Sequence, residues 1–221
     1  MKRLSLILTT VLLLSSMVVA TNISYGFKAG LAFSNQDFKY QTDLDIGPDY
    51  RLGFQGGAFA EFALTPNFSV QANVQYVPAG FKTEAEETTE ANPEGTGKIL
   101  TIKPRIDYLS IPVLVKAGMP SGQVSPFLIV GPRVNIQVGI DKSYMTPAYD
   151  YLKKVSIGLT VGAGAELQVS PKAALMIEVS YSPDFTNIFD ADEAKSKSVG
   201  SQVTLESVKN RTISVLAGVR F

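Results

Sequence analysis

K-N-R-T-I-S-V-L-A-G-V-R-F, Lys209 to Phe221, closes the chain. Ile213, Val215, Ala217, Val219 and Phe221 fall on one parity, and Thr212, Ser214, Leu216, Gly218 and Arg220 on the other. A period of two puts one set of side chains on each face of a strand. The last residue is aromatic, whereas a soluble terminus is normally polar and loosely held. An aromatic ring at a strand end suits a lipid–water interface. The stretch predicts a membrane-crossing strand with an apolar outer face.

The same period recurs upstream. Phe68, Val70, Ala72, Val74 and Tyr76 alternate with Ser69, Gln71, Asn73 and Gln75. Between Arg51 and Leu64, Leu52, Phe54, Ala58, Ala60, Phe62 and Leu64 oppose Arg51, Gln55, Phe59 and Glu61. Val155 to Leu167 and Leu175 to Tyr181 repeat the pattern, with Gly158, Gly162 and Gly164 on the polar face of the former. Val124–Ile140 sets Leu128, Val130, Val134, Ile136 and Val138 against Arg133, Asn135 and Gln137. The Ile106–Gly118 segment is more uniformly apolar, and Pro112 within it predicts a bulge or irregular edge. Tyr25–Phe38 alternates imperfectly. Eight strands of about 10 to 15 residues exceed the five or six of an ordinary globular strand and suit tilted membrane strands.

Three short turns (65–67, 119–123, 170–172) alternate with four long polar stretches (about 39–50, 82–103, 141–153 and 186–207). Short periplasmic turns and long external loops mark an outer-membrane barrel. The expected fold is all-β, an eight-stranded antiparallel up-and-down transmembrane barrel spanning 21–221. Ahead of it, Lys2 and Arg3, the apolar run Leu4–Leu14 and the exit Val18-Val19-Ala20 read as a signal peptide, 1–20, cleaved after Ala20. Removing it leaves 18 basic against 20 acidic residues, a charge of −2. No nucleic-acid partner is expected at that charge.

In a membrane barrel the polar parity lines the lumen, and eight strands leave an interior that side chains fill. Gln55, Glu61, Gln71, Asn73, Gln75, Lys116, Arg133, Asn135, Gln137, Glu166, Glu178, Arg211 and Arg220 are expected to meet there as ion pairs and amide networks, since buried charges must pair. Two other readings stay open: a narrow channel for small solutes or ions, and a soluble lipocalin-like barrel with the apolar parity lining a cavity.

D-Y-L-S-I-P-V-L-V-K-A-G (107–118), P-F-L-I-V-G-P (126–132), S-I-G-L-T-V-G-A-G-A-E-L (156–167), Y-S-P-D-F-T-N-I (181–188) and the closing V-L-A-G-V-R-F resemble the outer-membrane β-barrel domain of the "porin family protein" group, small barrels of the OmpA/OmpX build. The resemblance covers nearly all of the chain after the signal. It implies export to the bacterial outer membrane, contact with lipid and lipopolysaccharide, and insertion by the barrel-assembly machinery. That machinery would read the terminal strand through Ile213, Val215, Ala217, Val219 and Phe221. It implies structural, adhesive or pore roles and no one activity. A monomer is expected.

Chemistry finds little footing. The chain has no Cys and no His, which removes thiolates and the commonest general base and metal ligand. Gly162-Ala163-Gly164 is not followed by a helix and so is no nucleotide loop. Asp43 and Asp45, or Asp190, Asp192 and Glu193, lack the spacing of a calcium loop. Glu84 to Glu94 could meet cations bridging lipopolysaccharide but read first as solvated loop. The Asn22, Asn67 and Asn210 glycosylation patterns read as chance matches in a bacterial envelope protein. No catalytic residue, cofactor or metal is expected.

Overall fold

The computed structural model describes residues 23–40, 48–87, 96–119, 122–141, 151–190 and 205–221. The signal segment 1–20 lies outside them, as do Asp43, Asp45, Glu90, Glu94, Asp192 and Glu193. The described chain forms β1 (Ile23–Tyr40), β2 (Arg51–Ala63), β3 (Phe68–Gly80), β4 (Thr83–Glu86), β5 (Ile99–Ile102), β6 (Arg105–Gly118), β7 (Val124–Ile140), β8 (Val155–Ser170), β9 (Ala173–Pro183) and β10 (Leu205–Arg220). Eight of them close an antiparallel barrel in the order β1-β10-β9-β8-β7-β6-β3-β2, while β4 and β5 pair separately.

The cross-strand register fixes the shape. One row of partners runs from Ile23 through Phe62, Val70, Val115, Val130, Val161, Tyr181 and Ile213, and returns to β1 at Phe33, ten residues farther on. A stagger of ten over eight strands tilts them by about 40°. At about 3.3 Å per residue, the ten residues then climb about 25 Å, the height of an outer-membrane apolar band. The closing strand meets the first as its pattern requires: Gly26 pairs with Arg220 and Ala32 with Ser214. The Phe221 N–H donates to the Tyr25 carbonyl at 2.7 Å, and the Tyr25 N–H returns the bond at 3.1 Å.

The apolar parity faces out. Phe27 (65%), Phe54 (64%) and Ile177 (56%) are exposed, whereas Gln71 (0%) and Asn73 (1%) are buried. A soluble barrel would reverse this, so the lipocalin-like reading fails.

One local expectation fails and another holds in part. The stretch 82–103 is not all loop, because β4 and β5 build a hairpin there, Thr83 opposite Ile102 and Glu86 opposite Ile99. Its only apolar cluster, Ile99-Leu100-Thr101-Ile102, supplies one strand. Pro112 carries no bulge, but the ladder is irregular there: the β3–β6 pairing is interrupted opposite Pro112 and Ile111. The register with β3 and β7 is the same on either side of it, and the β6–β7 irregularity falls between Asp107 and Tyr108. Pro112 points inward, and its carbonyl accepts from Asn73 Nδ2 at 3.3 Å.

Candidate functional site

The interior is built in layers by the inward parities of all eight barrel strands. At the end where the short turns, Ile23 and Phe221 lie, a cavity of about 690 Å³ opens, with Glu61, Ser69, Lys116, Glu166 and Arg220 in its lining. Lys116 Nζ donates to Glu61 (3.1 and 3.0 Å) and to Glu166 Oε1 (2.6 Å). Arg220 reaches the same Glu166 through Nε at 3.3 Å and Nη2 at 3.1 Å. Ser69 Oγ donates to Glu61 Oε1 at 2.7 Å.

Above this basin the lumen turns apolar. Phe59, Leu114, Phe127, Ile129 and Met176 form a buried cluster. Glycines make room for its rings: a Cβ on Gly26 would lie 2.3 Å from Phe59 Cζ, and one on Gly164 2.3 Å from Phe127 Cζ. Lys28 passes beside the cluster, 5.7 Å from the Phe59 centroid, and binds Glu178 Oε2 at 2.8 Å and Gln71 Oε1 at 3.1 Å. Gln55 then links Gln75 (3.0 Å) to Ser214 (2.7 Å). A void of about 10 Å³ lies among Gln55, Gln75, Arg133 and Glu178.

Nearer the loops, one fully buried carboxylate gathers donors. Asp184 Oδ1 accepts from Arg133 Nη2 (2.7 Å) and Asn135 Nδ2 (3.0 Å); Oδ2 accepts from Ser156 Oγ (3.0 Å) and Asn210 Nδ2 (3.2 Å). Asn210 also donates to the Tyr108 hydroxyl at 3.3 Å. The chain after Asp184 folds across the mouth. There Ile188 and Phe189 pack with Ala79, Ile106, Tyr108 and Val208. Lys153 N–H to Ile188 and Ile188 N–H to Val208 tie that segment on both sides, at 2.7 and 2.9 Å.

Eleven of the thirteen predicted lumen residues join this interior network: Gln55, Glu61, Gln71, Asn73, Gln75, Lys116, Arg133, Asn135, Glu166, Glu178 and Arg220. Gln137 keeps the inward parity but is half-buried, and its Oε1 meets no donor. Arg211 is a correction. It stands on the odd, outward parity of β10 and pairs with Asp37 of β1, outside the barrel. Placing it inside followed its charge instead of its parity.

The sequence reading missed Lys28, Tyr108, Asp184 and Asn210. Carrying the even parity of β9 past Ser180 and Ser182 would have reached Asp184. Lys28 falls on the even parity of β1, between Gly26 and Gly30, where the alternation carries no apolar contrast. The apolar layer was visible as Phe59, Phe127, Ile129 and Met176, apolar residues on otherwise polar parities.

The chemistry open to this site is limited. Lys116 Nζ is held between Glu61 and Glu166 by three contacts of 2.6 to 3.1 Å. Glu61 accepts the Ser69 hydroxyl hydrogen bond and is already ion-paired with Lys116. Among the described residues no group of three His, Cys, Asp or Glu side chains could hold a metal ion.

Residues 15–192 match the family model described as "Outer membrane protein beta-barrel domain". The chain belongs to that family. Its place is therefore the bacterial outer membrane, which it crosses with strands. Among solved outer-membrane barrels, Neisserial surface protein A is 17% identical, with TM-score 0.47 and coverage of 90% of this chain and 97% of that one. The Escherichia coli outer membrane protein W is 16% identical (TM-score 0.46; 90% and 97% covered). The Escherichia coli outer membrane protease OmpT is 11% identical (TM-score 0.43; 92% and 97%). These are likenesses of fold and carry nothing about activity. No curated protein matches the chain.

Proposed function

We infer that the protein is a closed, non-enzymatic barrel that stiffens the outer membrane and presents its external loops, with the β4–β5 hairpin foremost. The observation behind this is the filled interior. Between the basin and the cap lie paired charges, amides and five apolar side chains, and the void among Gln55, Gln75, Arg133 and Glu178 is about 10 Å³, room for about one water molecule. A narrow channel, the alternative, would require several of these layers to move together. Lipid and lipopolysaccharide are its surroundings, the barrel-assembly machinery its partner during insertion, and a monomer its working state.

Purified protein in a planar bilayer is expected to give no conductance steps; reproducible steps would replace this reading with the channel. Assembly is read separately. Deleting Phe221 removes the terminal aromatic and its backbone pair with Tyr25, and should lower outer-membrane levels while leaving the few folded molecules unaltered. Wild-type levels of the truncated protein would remove the assembly role from Ile213–Phe221.

A further inference from the structure

The ladder between β2 and β3 runs from Ala63–Ser69 to Gly56–Tyr76 and stops there, although both strands continue. From Gln55 to Arg51, β2 pairs with β1 alone; from Val77 to Gly80, β3 pairs with β6 alone. From Gln55 to Arg51 side chains fill this seam, and above it the backbone closes again where Asp49 and Lys82 exchange hydrogen bonds of 2.8 and 3.0 Å. The Pro78 ring occupies the space over Gly53, where a Cβ would lie 2.6 Å from Pro78 Cγ. Arg51 crosses the top, its Cδ 3.4 Å from a Cβ placed on Gly80 and its Nη1 3.3 Å from one placed on Gly53.

A second arginine stands beside it. Arg105 pairs with Gly80 in the ladder, is 40% exposed at its side chain, and holds Nε 3.2 Å from Asp107 Oδ1. That carboxylate oxygen already accepts from the Tyr76 hydroxyl at 2.6 Å. Arg51 lies in the field of Arg105, Asp107, Tyr76 and Asp141. Yet its Nε and Nη1 are buried without a hydrogen-bond partner, and Arg105 Nε lacks bonding geometry toward Asp107.

Buried unmet donors are costly, and two adjacent guanidinium groups repel. Both defects vanish if one anion with several acceptor oxygens bridges the two planar forks, the geometry that phosphate offers. Tyr76, Arg105 and Asp107 stand on outward parities at the loop end of their strands, the level of the external headgroups, whereas Arg51 starts from the inward parity of β2, opposite buried Ser34, and reaches toward them only through the open seam. Below them the exposed Phe54 and Val74 flank the seam on the lipid side. The geometry points to a site for the phosphate of an outer-leaflet lipid, held between Arg51 and Arg105 with an acyl chain laid along the β2–β3 seam. It rests on the outer-membrane placement and is independent of the surface role proposed above; a conducting barrel would leave it standing.

The test is the unfolding midpoint of the full barrel in phosphatidylcholine nanodiscs containing diphosphoryl lipid A, the same lipid dephosphorylated, or neither, with inorganic phosphate added to the last. Only diphosphoryl lipid A should raise the midpoint of the wild-type protein. From its concentration dependence, R51Q/R105Q should bind about tenfold more weakly. R105Q alone, at the more exposed site, should lose part of that affinity and guards against misfolding of the double variant. K153Q/K154Q, altering loop lysines outside this site, should bind as wild type. An equal rise with dephosphorylated lipid, a rise with inorganic phosphate alone, full affinity in both arginine variants, or an equal loss in the lysine variant would each overturn the assignment.

Discussion

Two ion-pair clusters sit in one lumen under opposite conditions. The Lys116–Glu61–Glu166–Arg220 group lines a basin of about 690 Å³ open at the turn end. The Asp184–Arg133 group lies under Ile188, Phe189 and Tyr108, with side chains 0% and 5% exposed. Both neutralise charge inside a barrel. Only the first can exchange a lost partner for water. A buried pair owes its value largely to what is left behind when one member goes. The two groups should therefore answer the same kind of substitution differently.

Asp184→Ala is the strongest way to break the comparison. It strands the Arg133 guanidinium beneath the cap and removes the acceptor from Asn135, Ser156 and Asn210. The expected loss is about 5 kcal/mol, the upper end for a buried charge left alone, read from urea unfolding in lipid vesicles. Lys116→Ala leaves Glu61 facing Glu166, but water in the basin can reach them. Its loss should be about 3 kcal/mol by the same measurement. Equal losses would mean that the cap does not isolate the upper cluster.

The apolar layer between the clusters supplies a sharper probe. Gly164→Ala forces a methyl toward the Phe127 ring and the Ile177 carbonyl, both 2.3 Å away. Overpacking there should cost about 2 kcal/mol. A calorimetric midpoint equal to wild type would show that the ring can move aside. Smallest is Arg211→Gln, outside the barrel, where the pair with Asp37 is part-exposed (34% and 48%) and worth under about 1 kcal/mol. A larger loss in the same urea titration would restore Arg211 to the interior network.

The contrast also marks what the sequence could carry. Barrel, strand number and facing follow from a strict period of two, which Phe68–Tyr76 and Ile213–Phe221 keep without interruption. That β10 closes on β1 near Tyr25–Ala32 could be placed, though the ladder runs on to Tyr40. The partnering of lumen charges could not. Which carboxylate meets which cation depends on register and stagger, quantities that alternation within one strand does not contain. Arg211 was misplaced because charge was allowed to outrank parity. Asp184 was overlooked because the alternation was followed only as far as Tyr181, and the inward turn after it depends on contacts with β8 and β10. The hairpin of β4 and β5 was hidden by the acidic residues around it, since a two-stranded sheet above the bilayer needs no apolar face.

The backbone clasp between Tyr25 and Phe221 makes the barrel a cycle with no privileged starting strand. Linking Ile23 to Phe221 and opening the chain within 88–95 would leave every barrel hydrogen bond among the described residues in place. Such a circular permutant keeps the full geometry of closure while the aromatic strand becomes internal. It would separate, in one molecule, the information that shapes the cylinder from the information that delivers it.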